Sequence, residues 1–332
     1  MQVLGMPLLL IIIIAIAMVF DFLNGLHDSS NIVATMISSR ALSPQRALGL
    51  TAIAEFAGPF LFGVAVATTI GSEVVDPAAI SSTVIIAALS AAIIWNLVTW
   101  YFGWPSSTSH ALIGGLIGSV AVAEGFGTIR LAGMQKVLMA LFLSPILGLV
   151  LGFLVVKLIY FLARGATPSV NTLFKRGQWA TSVALALSHG TNDAQKTMGI
   201  IAMAMVTTGY VSDFQVPWWV ITISATAIAL GTLAGGWRLI RTLGGKFYKI
   251  RPVHAFGSQL TSACTILGAA LLGGPVSTTQ VVSSAIMGAG SADRVSKVRW
   301  IVARDIAVAW VLTIPVAALL SAGLYLVIDL FI

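Results

Sequence analysis

The sequence has few charged residues. Asp, Glu, Lys and Arg together make up only 9% of the 332 residues, whereas 58% are hydrophobic and the mean hydropathy is +0.99. Soluble domains carry about 25% charged residues, so this composition excludes a soluble globular protein and indicates an integral membrane protein. The loops between the apolar runs are too short to hold a folded soluble domain. Any function must therefore lie within the membrane.

Cysteine and acidic residues are also scarce. The single cysteine, Cys264, cannot form an internal disulfide, and its position in an apolar run predicts a small core residue. Only 11 acidic residues face 18 Lys and Arg, which gives a formal charge of +7. A basic balance can indicate nucleic-acid binding, but these charges lie in short loops, where orientation in a bilayer explains them better. We expect no nucleic-acid partner.

Apolar sequence is abundant. A helix that crosses a bilayer needs ~20 predominantly apolar residues. Runs of this kind lie near residues 3–23, 47–70, 79–101, 137–162, 178–206, 218–240, 254–272 and 305–330. The first run contains Ala15-Ile16-Ala17, which resembles a signal-peptide cleavage site. It lacks the usual basic segment before the apolar core, so we expect it to be retained.

Two polar stretches interrupt these runs and predict breaks in two membrane helices. Residues 24–31 read NGLHDSSN, and residues 188–196 read SHGTNDAQK. The stretches align with each other, because Gly25 to Asp28 matches Gly190 to Asp193 at an offset of 165. A second pair of motifs, PSSTSH at 105–110 and PVSTTQ at 275–280, aligns at an offset of 170. Two ordered matches predict two related halves.

The distribution of Lys and Arg predicts the orientation. Short loops rich in these residues face the cytoplasm. The basic loops are 40–46, 157–176, 238–251 and 294–304. The loop at 71–78 contains Glu73 and Asp76 but no basic residue, so we expect it outside. Arg130 and Lys136 are the exception, because they lie in a loop that should also be external.

The repeat and the charge pattern together predict the fold class. We expect an all-α polytopic membrane protein with two inverted-topology repeats, broken helices and two re-entrant helical hairpins. The first repeat covers 1–165, with a hairpin at 79–123 that enters from outside. The second covers 178–332, with a hairpin at 254–290 that enters from the cytoplasm. Residues 166–177 form a cytoplasmic linker, and both termini lie outside the cell.

The polar stretches contain two equivalent carboxylates, Asp28 and Asp193. A carboxylate within a membrane is energetically unfavourable and is usually functional or paired, so we expect both to hold coupling cations, either protons or a metal ion. The alternative is that neighbouring backbone amides satisfy them. Neutral oxygens suit a hard cation such as sodium, and the candidate donors are Asn24, Ser188 and Asn192.

Other ionisable residues lie close to these motifs. Glu55 is a further isolated acid, which either joins the cation site or pairs with Arg40 or Arg46. Three histidines flank the motifs and can relay protons: His27, His110 and His189.

The two Ser/Thr motifs predict an anion site. Helix N-termini present free N–H groups, which bind anions, and two tips that meet can surround an oxyanion. The alternative is that the hydroxyls only cap buried half-helices. Lys196 lies on the same helical face as Asp193, so it either balances that acid or contacts the anion. The candidate anion contacts are Ser106, Ser107, Thr108, Ser109, Ser277, Thr278, Thr279, Gln280, Asn31 and Lys196.

These motifs resemble those of a known family. GLHDSSN and SHGTNDAQKTMG are similar to the paired signature of the inorganic phosphate transporter (PiT) family, and PSSTSH and GGPVSTTQVVSSAIMG are similar to its two hairpin motifs. The resemblance covers nearly the whole chain and is to compact bacterial members. It implies cation-coupled uptake of inorganic phosphate across the cell (inner) membrane, with no enzymatic activity and no resident cofactor. Its signature aspartates fall on Asp28 and Asp193.

The resemblance leaves the coupling ion open. Gln259 is a further candidate for the coupling-cation site, at a position where sodium-coupled relatives commonly carry a glutamate. The missing acid favours protons over Na⁺ at Asp28 and Asp193. Phosphate can also travel as a complex with a divalent metal, and a homodimer is a further possible assembly. The alternatives to phosphate symport are a sulfate or other oxyanion symporter and a passive anion channel. An enzyme using Ser109 and His110 is disfavoured, because adjacent helical residues do not face each other.

Overall fold

The computed structural model of the protein describes residues 2–3, 5–75 and 80–331, so Asp76 of the predicted external loop lies outside the described residues. These residues form twelve α-helices and one pair of antiparallel strands, β1 (Gln2–Val3) and β2 (Met6–Pro7). The helices are α1 (Leu8–Ser38), α2 (Pro44–Leu61), α3 (Ala65–Thr68), α4 (Ser82–Phe102), α5 (Thr108–Ala123), α6 (Leu131–Leu162), α7 (Val170–Thr207), α8 (Trp218–Ala234), α9 (Trp237–Gly245), α10 (Pro252–Leu271), α11 (Thr278–Asp293) and α12 (Trp300–Ile328).

The two breaks predicted at the polar stretches are wrong. Helix α1 continues through residues 24–31 and α7 continues through 188–196. Neither stretch contains proline, and most of their polar side chains find partners on other helices, so the backbone need not unwind. Their glycines allow close packing: a Cβ at Gly25 would overlap the Ile228 carbonyl of α8, and one at Gly190 would overlap the Glu55 carbonyl of α2.

The helix breaks lie elsewhere, in runs that were predicted to be single spans. Helices α2 and α3 are bent by 71° at residues 62–64, and α8 and α9 by 71° at 235–236. Glycines with positive φ, Gly63 at 77° and Gly235 at 74°, permit these turns. Gln195 of α7 satisfies the first break, because its side chain accepts from the Val66 amide at 2.8 Å and donates to the Gly63 carbonyl at 2.7 Å.

The helix contacts follow the pattern that two repeats predict. Helix α1 packs on α8 as α7 packs on α2, and α5 packs on α12 as α11 packs on α6. The predicted hairpins form as α4–α5 and α10–α11. Proline lies inside both α6 and α12, as Pro145 and Pro315, at the same offset of 170 as the hairpin motifs. The exchange of partners between halves is what a pseudo-two-fold relation between repeats requires.

The protein is a multi-pass membrane protein. Four described helices are long and apolar enough to cross a bilayer, and the two bent pairs raise the number to as many as six. Lys136, an exception to the charge rule, lies 3.1 Å from the Glu73 carboxylate of the same predicted external face. The prediction for Cys264 is wrong: its side chain is exposed on α10, where it borders the space between α10 and α6 rather than the protein core.

Close packing of α5 against α12 gives a first testable prediction. A Cβ at Gly118 would overlap the Ala318 backbone, so Gly118→Val should separate the helices and destabilise the protein by about 1–3 kcal/mol. Thermal unfolding in detergent measures the effect. Gly323→Val is the matched control on α12, because its added Cβ meets nothing within 4 Å. Equal melting curves for both variants would contradict the packing argument.

Candidate functional site

The two hairpin tips meet. In each tip a serine precedes the returning helix and caps it: the Ser107 hydroxyl accepts from the His110 amide at 3.1 Å, and the Ser277 hydroxyl accepts from the Gln280 amide at 3.4 Å. The Ser109 hydroxyl then donates to the Val276 carbonyl of the opposite tip at 3.1 Å. Two of the predicted anion contacts, Ser107 and Ser277, therefore act as helix caps, whereas the other hydroxyls are not used for capping.

Three of these hydroxyls contact Asp28. Thr279 donates to its Oδ1 at 2.8 Å, while Thr108 and Thr278 both lie 3.3 Å from its Oδ2. Thr278 also lies 2.9 Å from Oδ2 of Asp193. A hydroxyl has one proton to donate, so Thr278 can serve only one of the two carboxylates at a time. Helices α1, α5, α7 and α11 thus converge on one buried cluster.

His189 connects three carboxylates within this cluster. Its Nε2 lies 3.0 Å from Oδ2 of Asp193 and 3.8 Å from Oδ2 of Asp28, and its Nδ1 lies 2.8 Å from Oε1 of Glu55. Glu55 therefore faces an imidazole rather than Arg40 or Arg46. A second imidazole, His27, lies 3.0 Å from Oδ1 of Asp28.

Lys196 is a buried cation, only 1% exposed. Its ammonium pairs with Asp193 and also donates to the Ser109 hydroxyl at 2.5 Å and to the Val276 carbonyl at 2.9 Å. Asn31 occupies the equivalent place in the other half, and its amide donates to the Thr279 hydroxyl at 3.0 Å. The repeat offsets relate these two contacts, so the site is symmetric in position but carries a positive charge on one side only.

A cavity lies behind each tip. One of about 430 Å³ separates α6 from α10 beside Gly274 and Val276 of the second tip. The other, of about 590 Å³, lies beside Gly103 and Pro105 of the first tip, against α12. Each hairpin tip is thus packed on the central cluster on one side and borders open space on the other.

Several predicted residues lie apart from these contacts. The amide of Gln259 donates to Thr35 at 2.8 Å and accepts from Thr181 at 2.6 Å, in a separate neutral group. The hydroxyl of Ser188 donates to the Ala184 carbonyl of its own helix at 2.7 Å. Their roles as cation ligands remain predictions that these contacts do not favour.

Three further predicted residues lie nearer the tips. The Asn192 amide donates to the Gly274 carbonyl of the second tip at 3.1 Å, and Ser106 donates to Thr99 at 3.0 Å. Gln280 lies 3.0 Å from Nδ1 of His110, which links the tips a second time. Asn24 is buried on α1 and makes no hydrogen bond through its side chain within the described part of the chain.

Sequence reasoning missed the central position of His189 and overlooked the buried Asp21. His189 was one of three histidines near the motifs, and its contact with Glu55 depends on how α2 crosses α7. The alignment at offset 165 pairs His189 with Asn24 and so pointed to the same helical face as Asp28. Asp21 precedes Asn24 by one helical turn. Like Asp28, it is an acid inside an apolar run, and this pattern could have identified it.

One combination of side chains can hold a metal ion. One ligand atom each from Asp28, His189 and Asp193 lies within 4.8 Å of the others. Such a set of imidazole and carboxylates suits a divalent transition metal, whereas sodium and other hard cations prefer oxygen ligands alone. A sodium ion at Asp28 and Asp193 stays a prediction, with the His189 imidazole as its least suitable neighbour.

Buried ionisable groups between two paired hairpins, in a membrane protein built from repeats, are typical of a membrane transporter. The chain belongs to the phosphate transporter family, whose model matches residues 24–321. This confirms the family predicted from the motifs. The family and its described relatives are transporters and not enzymes.

The relatives cover almost the whole chain. The protein is 48% identical to a chain of Rhizobium meliloti (strain 1021) over 97% of both, and 44% identical to one of Bacillus subtilis (strain 168) over 97% of this chain and 98% of that one. Both are described as "Probable low-affinity inorganic phosphate transporter". The fold is similar to a solved structure, "The sodium-dependent phosphate transporter", with a TM-score of 0.88, 25% identity and coverage of 98% of this chain and 100% of that one.

Proposed function

We propose that this protein imports inorganic phosphate by symport with protons. The observation that carries the proposal is the position of Thr278, whose hydroxyl lies 3.3 Å from Asp28 and 2.9 Å from Asp193. The hydroxyls that suit a phosphate oxygen are thus the same ones that satisfy the two carboxylates. When protons neutralise the carboxylates, these hydroxyls become free to donate to phosphate. Proton binding is thereby coupled to phosphate binding.

Phosphate binds between the tips in this proposal. The N-termini of α5 and α11 supply backbone N–H groups and the positive ends of two helix dipoles. Lys196 adds a full charge, and Thr108, Ser109, Thr278 and Thr279 add hydroxyls. The buried contacts of these groups with one another support a shared role in binding one tetrahedral anion.

The charge balance of the cluster explains why a cation must enter first. Asp28, Asp193 and Glu55 together oppose one permanent cation, Lys196, so a further anion would meet net repulsion if all three were ionised. Protons on the carboxylates or on His189 remove that repulsion. Protons are favoured over sodium because the His189 imidazole lies between the acids and the His27 imidazole lies beside Asp28, and because Gln259 lies in a separate neutral group.

The membrane potential sets the thermodynamic requirement. Moving each negative charge into a negative-inside cell costs about 2.3 kcal/mol per 100 mV, so concentrative uptake needs co-transported cations. We propose alternating access, in which the hairpins move into the cavities behind their tips and expose the site to each side in turn. The protein lies in the inner membrane with both termini outside.

Uptake of radiolabelled phosphate into proteoliposomes tests this proposal. An imposed inward proton gradient should drive accumulation, whereas a sodium gradient at equal pH should not. Accumulation driven by a sodium gradient alone would show that the coupling ion is sodium and not the proton. A requirement for added Mg²⁺ would indicate transport of a metal–phosphate complex. Phosphate currents without gradient-driven accumulation would indicate a passive anion channel. Full inhibition by equimolar sulfate would favour a general oxyanion symporter, and no uptake under either gradient would refute symport.

A further inference from the structure

An acid outside the central cluster carries a further inference. Asp21 lies on α1 and is 0% exposed, and neither of its carboxylate oxygens accepts a well-formed hydrogen bond from the residues that the structure describes. It precedes Asp28 by two helical turns, or about 10 Å along the axis. A buried carboxylate without a partner is unfavourable as an anion, so Asp21 requires a cation or a proton.

One side chain faces this acid from the neighbouring helix. The hydroxyl of Thr197 on α7 lies beside the Asp21 carboxylate, is fully buried, and has no well-formed hydrogen bond of its own within the described structure. Asn24 lies one turn further along α1, towards Asp28, with its amide also unpaired there. Unpaired polar groups thus lead from Asp21 to the central carboxylates.

The repeat has no counterpart to this pair. The offset of 165 places Ala186 opposite Asp21, and Ile32 opposite Thr197. That other side of the cluster holds the neutral group formed by Gln259 with Thr35 and Thr181. The acid is therefore present on only one of the two approaches to the centre. By the charge rule this is the outward approach, because α1 begins and α7 ends on that side.

A cavity opens further along the same approach. It has a volume of about 470 Å³ and is lined by residues that include Met203 and Thr207 of α7 and Ser72. Met203 follows Thr197 by six residues, or about 9 Å of helix. The cavity brings the external side within two helical turns of the Asp21 pair.

The charges that act on Asp21 are few. Asp193 and Lys196 on α7 and Glu55 on α2 influence it, while α8 contains no ionisable side chain and α4 contains only Tyr101. Sodium commonly takes several oxygen ligands, as hard cations do. One carboxylate and one hydroxyl provide too few, whereas a proton needs only the carboxylate oxygen and an acceptor such as the Thr197 hydroxyl.

We propose that Asp21 and Thr197 form a second proton site, which binds one of the co-transported protons on the outward side of the central cluster. This inference rests on the proposed proton symport and adds a site to it. Each transport cycle then carries the proton of Asp21 inward together with phosphate and the protons bound by the central carboxylates.

The proton-to-phosphate stoichiometry of Asp21→Asn tests the proposal. Losing one coupled proton lowers the attainable accumulation ratio by about tenfold for each pH unit of gradient, because one unit is worth about 1.4 kcal/mol per proton. Phosphate exchange at equal pH should persist, since the central cluster is intact. Asp21→Glu should restore the wild-type stoichiometry, and the exposed Asp329→Asn is the matched control.

Other results with the Asp21 and Thr197 variants would contradict the second proton site. Unchanged stoichiometry in an active Asp21→Asn variant would overturn it, and loss of exchange as well would assign Asp21 to phosphate binding or to folding. Thr197→Val should lower the external proton concentration needed for half-maximal uptake, because the Asp21 carboxylate loses a hydroxyl donor that stabilises its ionised form. An unaltered pH profile would remove Thr197 from the site. Wild-type uptake that follows sodium rather than protons would instead refute the proposed function, and it is measured first.

Discussion

Asp28→Asn and Asp193→Asn should each abolish concentrative phosphate uptake. An amide cannot take up and release a proton at this position, so the variant loses a coupled positive charge in each cycle. Transfer of that charge at 100 mV is worth about 2.3 kcal/mol. Radiolabel inside proteoliposomes should therefore not exceed the passive level under a proton gradient that drives the wild type to accumulate phosphate.

The contacts of Asp28 explain why the amide is not a neutral replacement. Both carboxylate oxygens accept, Oδ1 from Thr279 and Oδ2 from Thr108 or Thr278. Asparagine keeps one acceptor oxygen and presents an NH₂ group at the other position. At least one threonine hydroxyl must then turn away, which disturbs the tip in the state described here.

The controls separate coupling from folding. Asp305→Asn removes an exposed acid that is 65% accessible and pairs only with its neighbour Arg304 among the described residues, so uptake should be unchanged. Equal size-exclusion profiles for all three variants exclude misfolding. Normal accumulation in both central variants would refute the role of these acids in coupling.

The fold was predicted from the sequence where two independent signals agreed. Apolar runs and the repeated Ser/Thr motifs predicted the hairpins because Pro105 and Pro275 end helices through local chemistry that needs no tertiary context. The break predicted at Asp28 was wrong for the opposite reason. Polar side chains look like a helix interruption only until neighbouring helices supply their partners. The true bends, at Gly63 and Gly235, depend on positive φ values that sequence alone leaves open.

The site was also predicted only in part, because the sequence identifies unusual residues but does not show which of them meet. Asp28 and Asp193 were recognisable because a carboxylate within an apolar run needs an explanation wherever it points. His189 could not be ranked above His27, since its three carboxylate neighbours come from α1, α2 and α7 and meet only in the folded protein. For Gln259, the sequence predicted a place near the acids, but its amide hydrogen-bonds to Thr35 and Thr181 in a separate group.

Lys196→Asn should weaken phosphate binding at least about 30-fold. The substitution makes the two halves match, since Asn31 is the residue at the equivalent position, and it removes the permanent cation from the cluster. Loss of one buried charge opposite an ionic partner is worth about 2–5 kcal/mol. Among the described residues, the tips themselves supply hydroxyls, helix N-termini, the His110 imidazole and the Gln280 amide. None of these groups carries a permanent positive charge that could replace the ammonium.

The half-saturating phosphate concentration for exchange at equal pH measures this effect without the gradient. Lys249→Asn is the matched control, because it removes an exposed lysine. Loss of Lys196 also leaves Asp193 without its ammonium partner, and a proton can neutralise that acid, so the weaker binding should be partly restored at acidic pH. Lys196→Arg keeps the charge but spreads it over a larger planar group, and it should bind phosphate better than the asparagine variant. Unchanged affinity in Lys196→Asn would mean that Lys196 only neutralises Asp193, and that the anion is held by the hairpin tips alone.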